Sequence, residues 1–205
     1  MTKHKLVHIS IMTGKLEGLR AVSTNTATNE YCVKQHACGD ASNICTKCYS
    51  HSMLSTYRKN MAPALQRNSD LLSARILSAS EIPFLPDAFL RINAHGELIN
   101  DTHLANIVAI AKHNAHCNVV LWTKRNDIVA KYFANNDKPD NLLLIYSNSK
   151  IDRVMAKPPK YFAKTFNNVT GDNELERQNC TGQKCMDCML CYTKNDTTTI
   201  VERVK

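Results

Sequence analysis

The chain has no run of about 18 apolar residues, and its first residues, Met1 to His8, have no apolar stretch of the signal-peptide kind. These absences argue against a membrane partner and predict an uncleaved cytoplasmic protein. Also missing are G-x-S-x-G, a P-loop, a dinucleotide fingerprint and H-E-x-x-H, so hydrolase and nucleotide-triphosphatase chemistry find no support. The histidines show no metal-pair spacing. Despite a net charge of +8, there is no dense arginine segment and no aromatic–basic repeat. The charge permits contact with nucleic acid or another polyanion without requiring it.

What the chain does have is cysteine. Its 205 residues are 43% apolar and 21% charged, enough for one globular domain with a real core. In a reducing compartment nine cysteines are free, metal-bound or redox-active rather than cross-linked. Eight of them fall into two groups. Cys180, Cys185, Cys188 and Cys191 read C-x4-C-x2-C-x2-C, and three thiols within seven residues wrap one face of an iron–sulfur cube better than they form paired zinc knuckles. Four thiolates would close such a cluster, making it a staple or an electron relay. The other group is Cys32, Cys38, Cys45 and Cys48. If all four bind, zinc or a second closed cluster follows. If three bind, one iron keeps an open position. A single zinc shared by Cys45, Cys48, Cys185 and Cys188 is a further alternative. Cys117, before the apolar run Val119–Trp122, reads as a small core residue.

Strand and helix patterns alternate along the chain. Residues 1–20 suggest a short strand, and 21–31 a strand that dissolves into polar loop holding the first cysteines. Residues 49–80 suggest a helix broken near Pro63. Strand candidates follow at Ala88–Asn93, Asn118–Thr123, Leu142–Ser147, Tyr161–Val169 and Thr198–Val201. A helix capped by Asp101 runs to about Asn114, and another begins at Asn126 or Asp127. The alternation predicts an α/β fold, a partial barrel of five or six mostly parallel strands over 1–170, with a cysteine-rich extension over 171–205 packed on the same domain. The strands end in Asn93–His95–Glu97, Thr123–Lys124–Arg125, Ser147–Asn148 and Asn167–Asn168. In parallel α/β folds such ends face the ligand, so these residues are expected at one mouth.

The blocks Ser23–Cys32, Ile44–Ser50 (with Cys45-Thr-Lys-Cys48-Tyr49), Gly96–Asn100, Leu121–Arg125 and Cys180–Tyr192 carry a resemblance. The chain resembles the radical S-adenosylmethionine superfamily and, more specifically, is similar to the small phage-associated gene-product-eighty-eight family. The likeness covers roughly residue 12 to the end. It implies a [4Fe-4S] cluster on three cysteines with S-adenosylmethionine on the fourth iron, its amino group near Gly96 and Glu97. Lys124 or Arg125 would pair with the cofactor carboxylate or an anionic substrate, and Ser147 and Asn148 would complete the cofactor rim. An electron donor and an unknown substrate are the implied partners, and the host cytoplasm the implied location. The superfamily spacing is C-x3-C-x2-C with an aromatic before the last cysteine. Here Lys47 holds that place and Tyr49 follows it. The Asn-Glu-Tyr-Cys block favours Cys32 as the third ligand, with Cys38 as the spare.

Overall fold

A computed structural model describes residues 6–171 and 176–204. The chain ends, and 172–175 at the start of the expected extension, lie outside the described residues. The elements are β1 (Ser10–Ile11), β2 (Arg20–Val22), α1 (Glu30–His36), α2 (Tyr49–Ser55), α3 (Ala62–Ala74) and β3 (Phe89–Ile92). Then come α4 (Asp101–His113), β4 (Asn118–Thr123), α5 (Asn126–Phe133), β5 (Leu142–Ser147), β6 (Lys164–Val169), α6 (Cys185–Cys188) and β7 (Thr199–Arg203).

One sheet holds all seven strands in chain order. β2 to β7 run parallel, and β1 turns back antiparallel on β2. No pairing joins β1 to β7 among the described residues, so the sheet is open. The α/β expectation holds, with six parallel strands and one short antiparallel edge. The segment at Asn179–Cys180 lies along β7: Cys180 N donates to Val201 O at 3.1 Å, and Asn179 Nδ2 donates to Thr199 O at 2.8 Å. That cover removes an open strand edge that would otherwise invite pairing.

Both sheet faces are buried, as the apolar β4 and β5 demand. Val119, Leu121, Leu142 and Leu144 point to a large core with α3, α4 and α5. Their neighbours Val120, Trp122, Leu143 and Ile145 point the other way, onto Leu19 and Tyr192. Cys117 is fully buried in the first core, as its sequence context suggested.

Two local expectations are corrected. Cys32 lies in helix α1, not in loop, because Asn29 caps that helix by accepting a hydrogen bond from Cys32 N at 3.2 Å. The helix expected over 49–80 is interrupted near Pro63 as read, but it ends at Ala74: α2 stops at Ser55, and Pro63 opens α3. It occupies the first turn of α3, where a missing N–H costs nothing. α3 ends at Ala74, and Asn106 of α4 satisfies its last carbonyls. Asn106 Nδ2 donates to Leu72 O and to Arg75 O, each at 2.8 Å, and its Oδ1 accepts from Leu77 N at 2.9 Å. Asn106→Ala orphans all three buried groups, and urea unfolding should show a loss of about 3 kcal/mol. A change under 1 kcal/mol would show that Asn106 does not join these helices.

His103 of α4 is fully buried, and burial depresses its pKa from 6.5 to about 4. Its Nδ1 accepts from Ile99 N at 3.3 Å, so the neutral ring is the form the fold uses. The unfolded chain takes up this proton near pH 6.5 and the folded chain only near 4. Stability from this group is therefore complete above pH 6.5 and is lost as pH falls toward 4. The expected loss is about 3 kcal/mol. His103→Gln, which keeps an acceptor for Ile99 N, should flatten that part of the stability–pH curve.

Candidate metal and cofactor site

At the carboxyl ends of the parallel strands a cavity of about 850 Å³ opens. Its wall includes Cys32, Cys45 and Cys48 from one cysteine group and Cys180, Cys185 and Cys191 from the other. The fold thus brings both groups, far apart in sequence, to one space.

The first group is built on short helices. Asn43 accepts from Cys45 N at 3.0 Å and starts the turn Ile44–Lys47. Ile44 N donates to Ser149 O at 2.8 Å, which ties this turn to the chain after β5. Asn29 fixes Cys32 and also donates through Nδ2 to Glu97 O at 3.0 Å, so Cys32 and the Gly96–Glu97 turn move as one piece. Burial, with Glu97 close by, raises the Cys32 thiol well above its usual value, and Cys48 and Cys45 act on it in the same direction. Burial raises Cys45 too, while Lys124 opposes the rise. Without a bound cation these thiols stay neutral, and any metal must displace their protons. Cys38 is exposed, off the cavity wall, with its sulfur 3.6 Å from Asn43 Nδ2.

Gly96 has φ +86° and lies against the end of β2. A Cβ there would sit 2.5 Å from the Thr24 carbonyl oxygen, so only glycine fits. Glu97 is buried, and its carboxylate accepts from Thr123 Oγ1, from Leu98 N at 2.8 Å and from Lys124 N at 2.9 Å. Burial raises its pKa, and Lys124 and these hydrogen bonds oppose the rise. Lys124 Nζ donates to Ser147 Oγ at 2.9 Å on the same wall.

The second group wraps in a tight turn. α6 ends at Met189 with φ 54°, whose N–H donates to Cys185 O at 2.9 Å, and Tyr192 N then donates to Met189 O at 2.9 Å. Tyr192 anchors the turn between Phe89 and Trp122 on the sheet. Buried Lys164 holds the exit through Asn195 Oδ1 and Thr197 O, each at 2.6 Å. Cations lie beside the sulfurs. Lys15 Nζ is 3.0 Å from Cys180 Sγ, and Arg91 faces Cys185 and Cys191. Burial works against the Lys15 charge, but hydrogen bonds to Cys180 and Glu202 outweigh it and raise its pKa. Burial pushes the Cys191 thiol up to about 12, with Arg91 pulling it back.

Not every expected residue reaches the cavity. Asn148 is spent locally: Nδ2 donates to Arg153 O and Asn167 Oδ1, and Oδ1 accepts from Lys150 N. Arg125 pairs with Asp127 at 2.7 Å, off this wall, while Lys124 takes the inner place. Cys188 is off the wall beside its three partners. Among the described residues no three His, Cys, Asp or Glu side chains converge on a single-ion geometry. Sequence reasoning missed Lys15 and Arg91. The signal for Arg91 was its place two residues after Phe89 on β3, on the face that packs against Trp122. Six buried side-chain polar atoms have neither a hydrogen bond nor an ion pair among the described residues. Four belong to cavity residues: Thr26 Oγ1, His51 Nδ1, Arg91 Nε and Asn93 Oδ1. Such atoms call for a partner, which water or a ligand in the cavity would supply.

Among the described residues no helix is long and apolar enough to cross a membrane. No curated protein and no solved structure matches the chain. The family model described as Gene product 88 matches residues 11–194, and the chain belongs to that family.

Proposed function

We propose that this phage-type protein is an iron–sulfur enzyme of the radical S-adenosylmethionine kind, acting on a substrate held in the cavity. The observation that carries the reading is the meeting of both cysteine groups with Gly96, Glu97, Lys124 and Ser147 around one space. The donor set fits the groups invoked. Cys32, Cys45 and Cys48 supply three thiols on the cavity wall, and Cys180, Cys185 and Cys191, with Cys188 beside them, supply four more. Three thiolates leave one iron of a [4Fe-4S] cluster open, and four close the second.

Bound there, a three-thiolate cluster with S-adenosylmethionine supplies one-electron cofactor cleavage and hydrogen abstraction. The chain's own residues bind and orient. Gly96 lets the backbone approach closely, and the buried Glu97 fixes that turn to β4 through Thr123 and Lys124. Lys124 supplies a cation for the cofactor carboxylate, with Ser147 holding its ammonium in place. Lys15 and Arg91 offset the negative charge of the closed thiolate set.

The test is to mix reduced, oxygen-free protein with S-adenosylmethionine. Formation of 5′-deoxyadenosine, abolished in Cys45→Ala, is the expected result. If none forms and the spectrum is unchanged on adding the cofactor, the enzyme reading fails and a non-catalytic electron-transfer or redox-sensing protein remains.

A further inference from the structure

The cavity mouth carries features that cluster chemistry leaves unused. Tyr49 and Tyr57, at α2 and just beyond it, are 65% and 66% exposed, with their hydroxyls 3.0 Å apart. Lys47, Arg58 and Lys59 stand beside them in sequence, all exposed, and none has an ion pair among the described residues. Tyr49, Lys47 and Arg58 also line the cavity. Arg58 shares the cavity wall with Tyr49 at the rim and His95 inside, so the rim and the interior are continuous. Flat aromatic faces beside unpaired cations suit a strand of stacked bases and phosphates. The net charge of +8 has the matching sign.

The interior narrows the choice. Asn93 Nδ2 donates to Trp122 O at 3.2 Å, so the orphaned Oδ1 is an acceptor and nothing else. The residue is 6% exposed, at φ 59°. Two positions earlier, and also on the cavity wall, Arg91 has an Nε donor with no acceptor, while its guanidinium lies 3.9 Å over the Trp122 ring. A ligand that reaches these two atoms meets an acceptor, a donor and a flat ring. A simple anion answers only Arg91, and an ammonium answers only Asn93. A peptide offers both edges but meets the three rim cations only where it happens to be acidic, whereas a phosphodiester strand carries a charge at every repeat. A nucleobase on a phosphate backbone meets every requirement.

We infer that the cavity receives one nucleotide of a single-stranded nucleic acid, whose neighbouring bases stack on Tyr49 and Tyr57 and whose phosphates meet Lys47, Arg58 and Lys59. As a substrate assignment this rests on the iron–sulfur reading; as a binding site it stands without it.

The experiment uses oxygen-free full-length protein and fluorescein-labelled DNA and RNA homopolymers of about twelve nucleotides. Anisotropy should show binding to single strands at least about tenfold tighter than to a duplex of equal length. With three phosphate contacts, log K should fall with log salt at a slope of about −2. Tyr57→Ala should weaken binding about tenfold, and Tyr57→Phe, which keeps the ring, should not. Asn93→Gly suits the positive φ and removes the acceptor. It should erase base preference and leave the salt slope unchanged. Equal affinity for duplex, wild-type binding by Tyr57→Ala, or no strand binding overturns the proposal. Iron and sulfide are counted on the same sample. A full complement without strand binding sinks the nucleic-acid site alone, whereas strand binding by sulfide-free protein supports the site and removes the cluster chemistry.

Discussion

Gly96→Ala should cost the fold about 3 kcal/mol, the largest stability loss expected from adding a single methyl group to this chain. Two costs combine. A side chain at φ +86° pays left-handed strain of about 1–2 kcal/mol. The new Cβ also meets the Thr24 backbone, and overpacking costs about 1–3 kcal/mol. Neither partner can yield cheaply. Thr24 N donates to His95 O at 3.1 Å, and Thr24 Oγ1 donates to Glu97 O at 3.2 Å, so the end of β2 and the turn are interlocked. For a chain of this length the unfolding midpoint should drop by about 9 °C. Gly14→Ala is the control. It has a positive φ of +64° with open space around it, so it pays the strain alone, about 1–2 kcal/mol. Equal losses in the two variants would mean that the close approach to Thr24 is not what requires glycine at 96.

The second large effect separates Cys32 from Cys38. Cys32 lies on the cavity wall, held by the Asn29 cap that also grips Glu97. Cys38 is exposed and off that wall. If Cys32 is the third ligand of an open cluster, Cys32→Ala should halve the iron and acid-labile sulfide, from about eight of each per chain to about four. Cys38→Ala should leave both counts unchanged. The reverse outcome would assign the ligand to Cys38 and require the α1–α2 connection to rearrange on metal binding.

The fold was largely legible because its strands are buried on both faces. Leu142–Ser147 and Asn118–Thr123 are largely apolar runs, and α4 and α5 carry clear 3.6-residue spacing, although Asn100, not Asp101, caps α4 by accepting from His103 N. Where the chain relies on side-chain caps the sequence was less plain. α1 is short and polar, and it forms because Asn29 accepts from Cys32 N, a single hydrogen bond with no periodic signature. The convergence of two distant cysteine groups was not readable from spacing, because it depends on Tyr192 and Lys164 folding the tail back over the sheet. Lys124 and Arg125 were equivalent on paper. The Asp127 side chain separates them by holding Arg125 off the cavity wall. Asn148 looked like its neighbour Ser147, but alternation along the strand end sends the two to different surroundings.

The most direct test of the account is metal and acid-labile sulfide analysis of protein purified without oxygen. Two clusters give brown material with broad visible absorption and iron matched by sulfide, about eight of each per chain. Colourless protein with stoichiometric zinc and no sulfide would contradict it.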